Sequence, residues 1–431
     1  MSAPVAASAA VSQLRDAFEH VRPSLGGPAA RRSAAMARFV ELGFPGARDE
    51  AWKYTNLRRL EARKFVPARA GQTSATNAVH EALVPHRIVL VNGQPSSTSL
   101  TGLAGFTVRS LESVPAPLDA EMLRALPGGG TERFAALNAA LSVTPVLLEM
   151  QAEATSEEVL QLSLHTAGAE PTLSSPRVVV RMGSNARGRL LIDHTDDDRQ
   201  EHFTNAVLDV DLGPGAELTV YRLQQQGHRA FHIERIEARL DSGARLVLRD
   251  AQLGSSLARL DIAVTLAGRG ASTELTGVFL ADGSRHLDTH VLVAHRAIET
   301  TSLQDYRGIA AGRGRGVFNG KAVVHAGAQK SNARQVNRNL LLTPGAEIDT
   351  KPDLEIYADD VQCSHGTTTG QLDPHALFYL RARGLDEFEA RRALTRAFAG
   401  PVLVRVDLAP LATHVHDELD RRLLRLLESA P

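Results

Sequence analysis

The clearest feature of the sequence is an alternation of apolar and polar residues that extends from about Val178 to Gly370. Apolar residues occupy every second position, and Arg, Asp and His lie between them, as in the series Leu260, Ile262, Val264. A period of two places apolar side chains on one face of a β-strand and polar side chains on the other. The pattern therefore predicts that this part of the chain is β-rich.

Glycines divide the β-rich part at nearly constant intervals. Gly188, Gly215, Gly243 and Gly270 each precede a short cluster of polar and apolar residues and lie 27, 28 and 27 residues apart. A constant period is typical of solenoids, in which each unit buries its apolar face by stacking on its neighbours. Two short strands and two turns fit each unit. We predict a β-helix, with a sandwich or barrel as the alternative, because a Greek key has no reason to repeat its turns at constant spacing.

Helical periodicity precedes the β-rich part. Val11, Leu14 and Phe18 fall on one helical stripe, and a second helix is predicted to end near Gly43. The only tryptophan, Trp52, is predicted to anchor this helical segment on the core. Residues 67–86 are rich in Ala, Gly, Thr and Asn, which indicates a linker.

The pattern becomes helical again after Gly370. Asp373 is the predicted N-cap of one helix, and Asp386 with Glu389 forms a capping box for a second, which should end at Gly400-Pro401. The predicted buried stripe of the second helix is Ala390, Ala393, Leu394, Ala397 and Phe398. A third helix is predicted after these two. Three helices are more than is needed to cover the end of a solenoid, which favours a role in docking a partner. The chain thus divides into a mostly helical region with a short β segment (1–145), a β-helix core (146–370) and a C-terminal helical domain (371–431).

Composition and charge exclude several classes of function. The 48 basic residues nearly balance the 49 acidic ones, so no overall field favours nucleic acid or an anionic membrane. No run of about 18 apolar residues is present, and the Ala-rich N-terminus lacks the basic and apolar segments of a signal peptide. We therefore expect a cytoplasmic protein that contacts neither nucleic acid nor membrane.

Cys363 is the only cysteine of the chain and lies two residues before His365. Residues two apart on a strand share a face, so the thiol and the imidazole should project together as ligands that iron or zinc accepts. One thiol cannot build a four-thiolate metal or cluster site. A site here must therefore borrow ligands from another chain. The alternative is a buried structural thiol beside a hydrogen-bonded histidine.

The Gly-rich stretch from Gly312 to Lys321 invites comparison with a phosphate-binding loop. Its spacing does not fit, because Arg315 stands where the first glycine is required and Ala322 replaces the hydroxyl residue that holds Mg²⁺. We expect turns of the solenoid in this stretch and no nucleotide hydrolysis by the chain.

A cluster of His194, Asp196, Asp197, Asp198 and His202 contains enough ligands for a cation. Three consecutive residues of an extended segment cannot all face one ion, however. An acidic turn between two strands is therefore the preferred interpretation.

The most specific sequence segment runs from Glu355 to Gly370 and reads Glu-Ile-Tyr-Ala-Asp-Asp-Val-Gln-Cys-Ser-His-Gly-Thr-Thr-Thr-Gly. Over nearly its whole length the chain resembles the SufB/SufD family of the SUF iron-sulfur cluster assembly machinery, and within it the SufD branch. SufB-like sequences carry Glu-His-Glu-Ala where this chain has Cys-Ser-His-Gly. Other segments that carry the resemblance are Trp52 to Thr55, Phe318 to Gly320 and Asn337 to Leu341.

The resemblance implies a right-handed parallel β-helix between the two helical parts, in a non-catalytic scaffold subunit. It implies a heterodimer with a SufB-like paralogue and docking of a SufC-like ATPase through the C-terminal helices, and it leaves open a homodimer of isolated chains. A nascent iron-sulfur cluster would form transiently at the SufB-SufD interface, with His365 as a metal ligand and Cys363 as a second candidate. The isolated chain would bind no cofactor stably.

A different class of function for a β-helix is an enzyme that acts on polysaccharide. A sugar-binding groove requires aromatic platforms and paired carboxylates. Aromatic residues make up only 4% of this chain, and the sole Trp lies outside the predicted solenoid. The scaffold is therefore the preferred hypothesis.

Overall fold

The computed structural model describes residues 8–46, 49–71, 82–110 and 132–428. Within these ranges the helices are α1 (Ala9–Val21), α2 (Ala29–Leu42), α3 (Arg58–Glu61), α4 (Glu132–Leu141), α5 (Pro374–Ala382), α6 (Glu387–Leu403) and α7 (Ala409–Glu428), with 3-10 turns at Arg22–Ser24 and Glu50–Trp52. The strands are β1 (Val66–Pro67), β2 (His86–Val91), β3 (Gln94–Ser99), β4 (Phe106–Ser110), β5 (Val146–Met150), β6 (Thr155–Thr166), β7 (Thr172–Ser174), β8 (Arg177–Met182), β9 (Arg187–Asp196), β10 (Phe203–Leu212), β11 (Glu217–Gln224), β12 (Phe231–Leu240), β13 (Arg245–Gln252), β14 (Leu257–Leu266), β15 (Ser272–Ala281), β16 (His286–His295), β17 (Thr301–Ala310), β18 (Arg315–Val324), β19 (Asn332–Leu341), β20 (Glu347–Ile356) and β21 (Gln362–Gly370).

From β5 onward the chain winds as a parallel β-solenoid, as the glycine spacing predicted. One sheet has the order β20-β18-β16-β14-β12-β10-β8-β5-β4, and the other has the order β21-β19-β17-β15-β13-β11-β9-β6-β2-β3. Each coil gives one strand to each sheet, which makes about eight coils in the part of the chain that the structure describes. No helix in that part is long and apolar enough to cross a membrane.

The core of the solenoid lies between the two sheets, where equivalent residues of successive coils stack. Leu190, Val220, Leu248 and Leu275 occupy one such column and are all buried. Parallel stacking of apolar residues buries each coil against its neighbours, which is the source of stability in a solenoid.

The length of a coil varies more than the glycine spacing predicted. Phe231 pairs with Leu257, 26 residues further on, whereas Arg315 pairs with Glu347, 32 residues further on. From β9 onward most strands have ten residues, so they are longer than the short strands expected. The variation in coil length therefore lies mainly in the turns.

The N-terminal helices pack on the outer face of the first sheet. Phe18 of α1, Phe39 of α2 and Phe134 of α4 form one buried cluster with Phe203 and Phe231 of the solenoid. The anchor role predicted for Trp52 is confirmed. Its ring is buried, lies 5.4 Å from the ring of Phe134 and covers the guanidinium of Arg259 at 4.0 Å.

The C-terminal helices α6 and α7 lie along the outer face of the second sheet and bury its apolar side chains. The predicted end of α6 at Gly400-Pro401 is wrong, because the helix continues through Pro401 to Leu403. The predicted buried stripe is also wrong in part. Ala390 is buried, but Ala397 is exposed, because the buried face of the C-terminal half of α6 runs through Thr395 and Ala399 instead. The residues that cover the sheet there are Ala399, Val402 and Leu403.

The predicted linker over residues 67–86 lies only partly in the described ranges, since residues 72–81 fall outside them. Its two ends belong to strands. Pro67 of β1 pairs with Leu173 of β7, and His86 opens β2. The strand predicted to follow the linker is β2, whereas β1 spans only Val66–Pro67 and is too short to give a periodic pattern.

Candidate functional site

The final coil of the solenoid is open on its outer side. Among the described residues β20 pairs only with β18, and β21 pairs only with β19, so each is the edge of its sheet. No other described element covers these edges, and most residues of β21 are exposed. An uncovered edge presents a row of unpaired backbone N–H and C=O groups, which is a template for another strand.

For β21 the direction of these backbone groups follows from one hydrogen bond. The N–H of Gln362 donates to the carbonyl of Ser331 at 2.9 Å, so the even-numbered residues of β21 pair with β19. The odd-numbered residues Cys363, His365 and Thr367 consequently direct their N–H groups away from the solenoid.

The edge of β20 is blunted by a proline. The N–H of Tyr357 donates to the carbonyl of Val324 at 2.8 Å, so the odd-numbered residues of this segment face β18 and Pro352 faces outward. Proline has no N–H and is found in sheets mainly at such edge positions. Since β21 contains no proline, it is the better of the two edges for pairing with another strand.

His365 continues a column that faces the interior of the solenoid. The registers place Leu275, Gln304, Gln335 and His365 in line on β15, β17, β19 and β21. The column is thus apolar in the middle of the solenoid and polar in the last three coils. His365 is exposed and makes no hydrogen bond with any described residue.

Cys363 lies on the same face of β21, two residues from His365, and is half-buried. Its side chain packs against a small apolar cluster of Val324, Ala328 and Ala358. Burial raises the pKa of the Cys363 thiol, against a smaller effect of a hydrogen bond from the backbone of Ala333. The thiol of the isolated chain is therefore protonated at neutral pH and must lose its proton before it can bind a metal.

The Gly-rich stretch is mostly strand, which corrects the expectation of turns. Gly312 has a φ of +67° and lies in a turn, but Gly316 and Gly320 lie inside β18. They are glycines because the space is filled, since a Cβ on Gly316 would lie 2.5 Å from the Phe279 ring. Lys321 also lies in β18, so no strand-loop-helix cradle for a phosphate exists here.

The acidic cluster is partly a turn, as predicted, and partly something that the sequence did not reveal. Asp197 lies in the turn, and its Oδ1 is 2.9 Å from His202 Nε2. His194, in contrast, lies inside β9 and is completely buried in the interior of the solenoid. The interpretation of His194 as part of the acidic turn is therefore wrong.

His194 belongs to a buried polar cluster that also contains Arg222, His232, Glu234 and Asp250. Arg222 donates from Nε to Glu234 and from Nη1 to Asp250, each at 2.7 Å. Glu234 Oε2 lies 3.0 Å from His232 Nε2 and 3.2 Å from His194 Nε2. The only signal in the sequence is the pair His232 and Glu234, which share one face of β12.

Burial and charge set the protonation of this cluster. Burial lowers the pKa of His232 to about 3, so its imidazole is neutral. Burial alone would raise the pKa of Glu234, but the guanidinium of Arg222 and the neighbouring imidazoles outweigh it and hold that pKa well below its usual range. Burial raises the pKa of Asp250 despite the attraction of Arg222.

The fold and the open edge define a class, that of parallel β-solenoid proteins with helices on both flanks and a final coil left unpaired. The description of the family that matches residues 164–398 is SUF system FeS cluster assembly, SufBD core domain. The match covers more than half of the chain, which therefore belongs to the SufB/SufD family.

Individual relatives agree with the match. The chain is 32% identical over 400 residues to an iron-sulfur cluster assembly SufBD family protein of Synechocystis, covering 88% of each chain. It is 28% identical over 372 residues to the iron-sulfur cluster assembly protein SufD of Escherichia coli, covering 84% of this chain and 86% of the relative. A chloroplastic protein of Arabidopsis thaliana, ABCI7, is 34% identical over 233 residues, which cover 54% of this chain and 49% of the relative.

Proposed function

We propose that the chain is a SufD-type, non-catalytic scaffold subunit that builds an iron-sulfur cluster together with a SufB-like paralogue. One observation carries the proposal. The uncovered edge strand β21 presents Cys363 and His365 on one face and unpaired backbone groups on its outer side. The two candidate ligands and the edge available for docking thus lie on the same nine-residue strand.

The partner is required by the chemistry of the ligands. Iron-sulfur clusters are held by four thiolates, or by two thiolates and two imidazoles in Rieske-type centres. This chain supplies one thiol and one accessible imidazole at the open end. A strand of the partner that adds to β21 would bring the missing ligands beside His365. The cluster is the cargo of this site and leaves with its acceptor.

The Cys363 thiol and the His365 imidazole suit different stages of such a process. His365 is accessible to iron without any rearrangement of the chain. Cys363 is held protonated by its apolar surroundings and becomes a ligand only when iron or the partner displaces its proton. His365 is therefore the primary ligand in this proposal, and Cys363 is the secondary one.

The energy for assembly would come from a SufC-like ATPase that docks on the C-terminal helices. The Gly-rich stretch from Gly312 to Lys321 does not form a phosphate-binding loop, since Lys321 lies in a strand and is ion-paired with Glu355. Helix α5 has no buried residue, and it exposes Phe378 by 75% and Tyr379 by 57%. Exposed aromatic residues are typical anchors of protein interfaces.

The positions of the aromatic residues do not support the alternative hypothesis of an enzyme that acts on polysaccharide. Trp52 is buried against Arg259 and Phe134, where it cannot stack on a sugar. The open edge β21 can also pair with a second copy of the chain, so a homodimer of the isolated protein is compatible with the scaffold.

The proposal is tested by anaerobic co-expression of the chain with a SufB-like and a SufC-like protein. We expect a complex of all three proteins that carries iron and sulfide, whereas the chain purified alone carries no cluster and hydrolyses no ATP. A chain that loads a stable cluster alone, or that ignores both partners, would contradict the proposal.

A further inference from the structure

Two imidazoles and one carboxylate converge in the interior of the solenoid, far along the chain from the open edge. His194 comes from β9, and His232 and Glu234 come from β12, on the opposite sheet. All three side chains are fully or almost fully buried. One ligand atom of each residue lies within 4.8 Å of the ligand atoms of the other two.

The spacing of these atoms suits a metal ion. Glu234 Oε2 lies 3.2 Å from His194 Nε2 and 3.0 Å from His232 Nε2. Ligands at about 2.0–2.1 Å from a tetrahedral ion are separated from one another by roughly 3.3 Å. The three side chains therefore need only small adjustments to bind one ion.

His194 lacks the hydrogen bonds that a buried histidine normally makes. Neither of its ring nitrogens has a hydrogen-bond partner among the described residues, because the 3.2 Å contact with Glu234 lacks hydrogen-bond geometry. His295, also buried in the solenoid, is bonded through both nitrogens, to Thr300 and to Ser302 at 2.8 Å each. A buried nitrogen without a partner is costly, and a metal ion would supply one.

The charges of the cluster also favour a cation. Arg222 carries one positive charge and faces Glu234 and Asp250, which carry two negative charges when ionised. Two carboxylates thus face one guanidinium in a buried interior, where unpaired charges are expensive. A cation at the three ligands would add positive charge beside these carboxylates.

Arg222 contacts two of the same ligands and must share them with the ion. Its bond to Glu234 can persist, because a carboxylate has two oxygens and several lone pairs. Its contact with His232 Nε2, at 3.2 Å, is longer than its two carboxylate bonds and is the one that the ion would replace.

We propose that His194, His232 and Glu234 bind one divalent first-row transition-metal ion inside the solenoid. Two imidazoles and one carboxylate are the donor set used by zinc and by non-haem ferrous sites. The ion would enter as the chain folds, since the ligands are sealed from solvent, and it would tie β9 to β12 across the two sheets. The site is independent of Cys363, His365 and the proposed partners.

The test measures metal in the purified full chain. After expression with added iron and zinc, we expect about one ion per chain in the wild type and in Cys363→Ser. His232→Gln should lose the ion. His295→Gln is the matched control, since it changes an equally buried histidine outside the cluster, and it should retain the ion. Metal retained by folded His232→Gln, or absent from the wild type, would count against the site.

A second measurement does not depend on the folding of any variant. The wild-type chain is unfolded with a chelator and refolded with Co²⁺, whose visible spectrum reports its ligands. Nitrogen and oxygen ligands should give d–d bands without the intense charge-transfer band of a thiolate. A thiolate band would locate the ion at Cys363, and a refolded chain without cobalt bands would overturn the proposal.

Discussion

At the scale of single residues, Cys363 and His365 share one face of β21 but differ in their surroundings. Cys363 packs against apolar side chains, whereas His365 is exposed and has no partner among the described residues. The alternative of a hydrogen-bonded core histidine does not fit this environment. A substitution of His365 can therefore report on function without disturbing the fold.

We predict that His365→Ala strongly reduces cluster formation in the assembled complex and leaves the subunit stable. Substitution of an exposed residue without partners changes the free energy of unfolding by no more than about 0.5 kcal/mol. Iron and sulfide content after anaerobic reconstitution should fall, while the melting temperature and the size of the complex match the wild type.

The matched control is Ser364→Ala, because Ser364 is exposed on the same strand and points to the opposite face. It should load iron and sulfide normally. Equal cluster content in His365→Ala and Ser364→Ala would exclude His365 as a ligand.

Histidines inside the solenoid predict a pH dependence of stability. Burial lowers the pKa of His295 to about 4, whereas an unfolded histidine has a pKa of about 6.5. Between these values the unfolded chain binds a proton that the folded chain does not. Stability is therefore lost as the pH falls through this window, by about 1.4 kcal/mol per pH unit for one residue.

We predict that His295→Gln removes this contribution, so the free energy of unfolding falls less steeply between pH 6.5 and 4.5. Chemical denaturation at several pH values measures the slope. The comparison between variant and wild type is needed because burial raises the pKa of Asp196 to about 7, which contributes a slope of the opposite sign. Parallel slopes for the two proteins would contradict the assignment.

The interior polar cluster shows what the sequence could not reveal about single residues. Alternation identified Leu260, Ile262 and Val264 as inward-facing, and all three are buried. The same rule assigned interleaved charged residues to the outside, yet Arg222 and Glu234 face each other inside. Polar residues of β11 and β12 contact one another between the two sheets. This contact is visible only in the register between coils and not in the sequence of either strand.

At the scale of elements, the sequence predicted the strands well and the helix contacts less well. Capping residues located the starts of α5 and α6, since Asp373 and Asp386 both cap their helices. The face of α6 that contacts the sheet could not be predicted, because its amphipathic pattern is weak and tertiary packing decides the contact. Pro401 also failed to end the helix.

The structure changes how the docking of the ATPase should be tested. Removal of everything after Gly370 would uncover the apolar outer face of the second sheet, where α6 and α7 cover Tyr221, Leu223 and Val278. Such a truncation would lose stability as well as any docking site. Helix α5 offers a cleaner test because none of its residues is buried.

We predict that the double substitution Phe378→Ala with Tyr379→Ala weakens ATPase binding by on the order of tenfold or more, as expected for aromatic anchors. The melting temperature should not change. Tyr357→Ala is the matched control, since Tyr357 is an exposed aromatic residue (62%) that follows β20 and is not part of α5. Calorimetric titration with the ATPase measures both variants, and unchanged affinity of the double variant would place docking elsewhere.

At the scale of the whole molecule, the solenoid is covered on its two flanks and open at its last coil. The N-terminal helices cover the first sheet, and α6 and α7 cover the second. The regular glycine spacing predicted the solenoid because every coil buries its apolar residues against its neighbours in the same way. It could not predict which end stays open, because pairing beyond the last strand depends on residues outside the repeat. Pro352, at an outward position of β20, is a sequence signal for an edge at the open end.

The open end gives the last prediction, that Thr367→Pro disrupts pairing with the SufB-like partner while the solenoid stays folded. The N–H of Thr367 points outward, so proline removes no hydrogen bond to β19 but removes one donor from the docking edge. The loss of that bond and the bulk of the ring should weaken the heterodimer by on the order of tenfold. Thr367→Ala should pair normally, and Thr368→Pro, which breaks a bond to β19, should lower the melting temperature. Sedimentation of the mixed subunits decides the matter, since normal pairing by Thr367→Pro would rule out strand addition at β21.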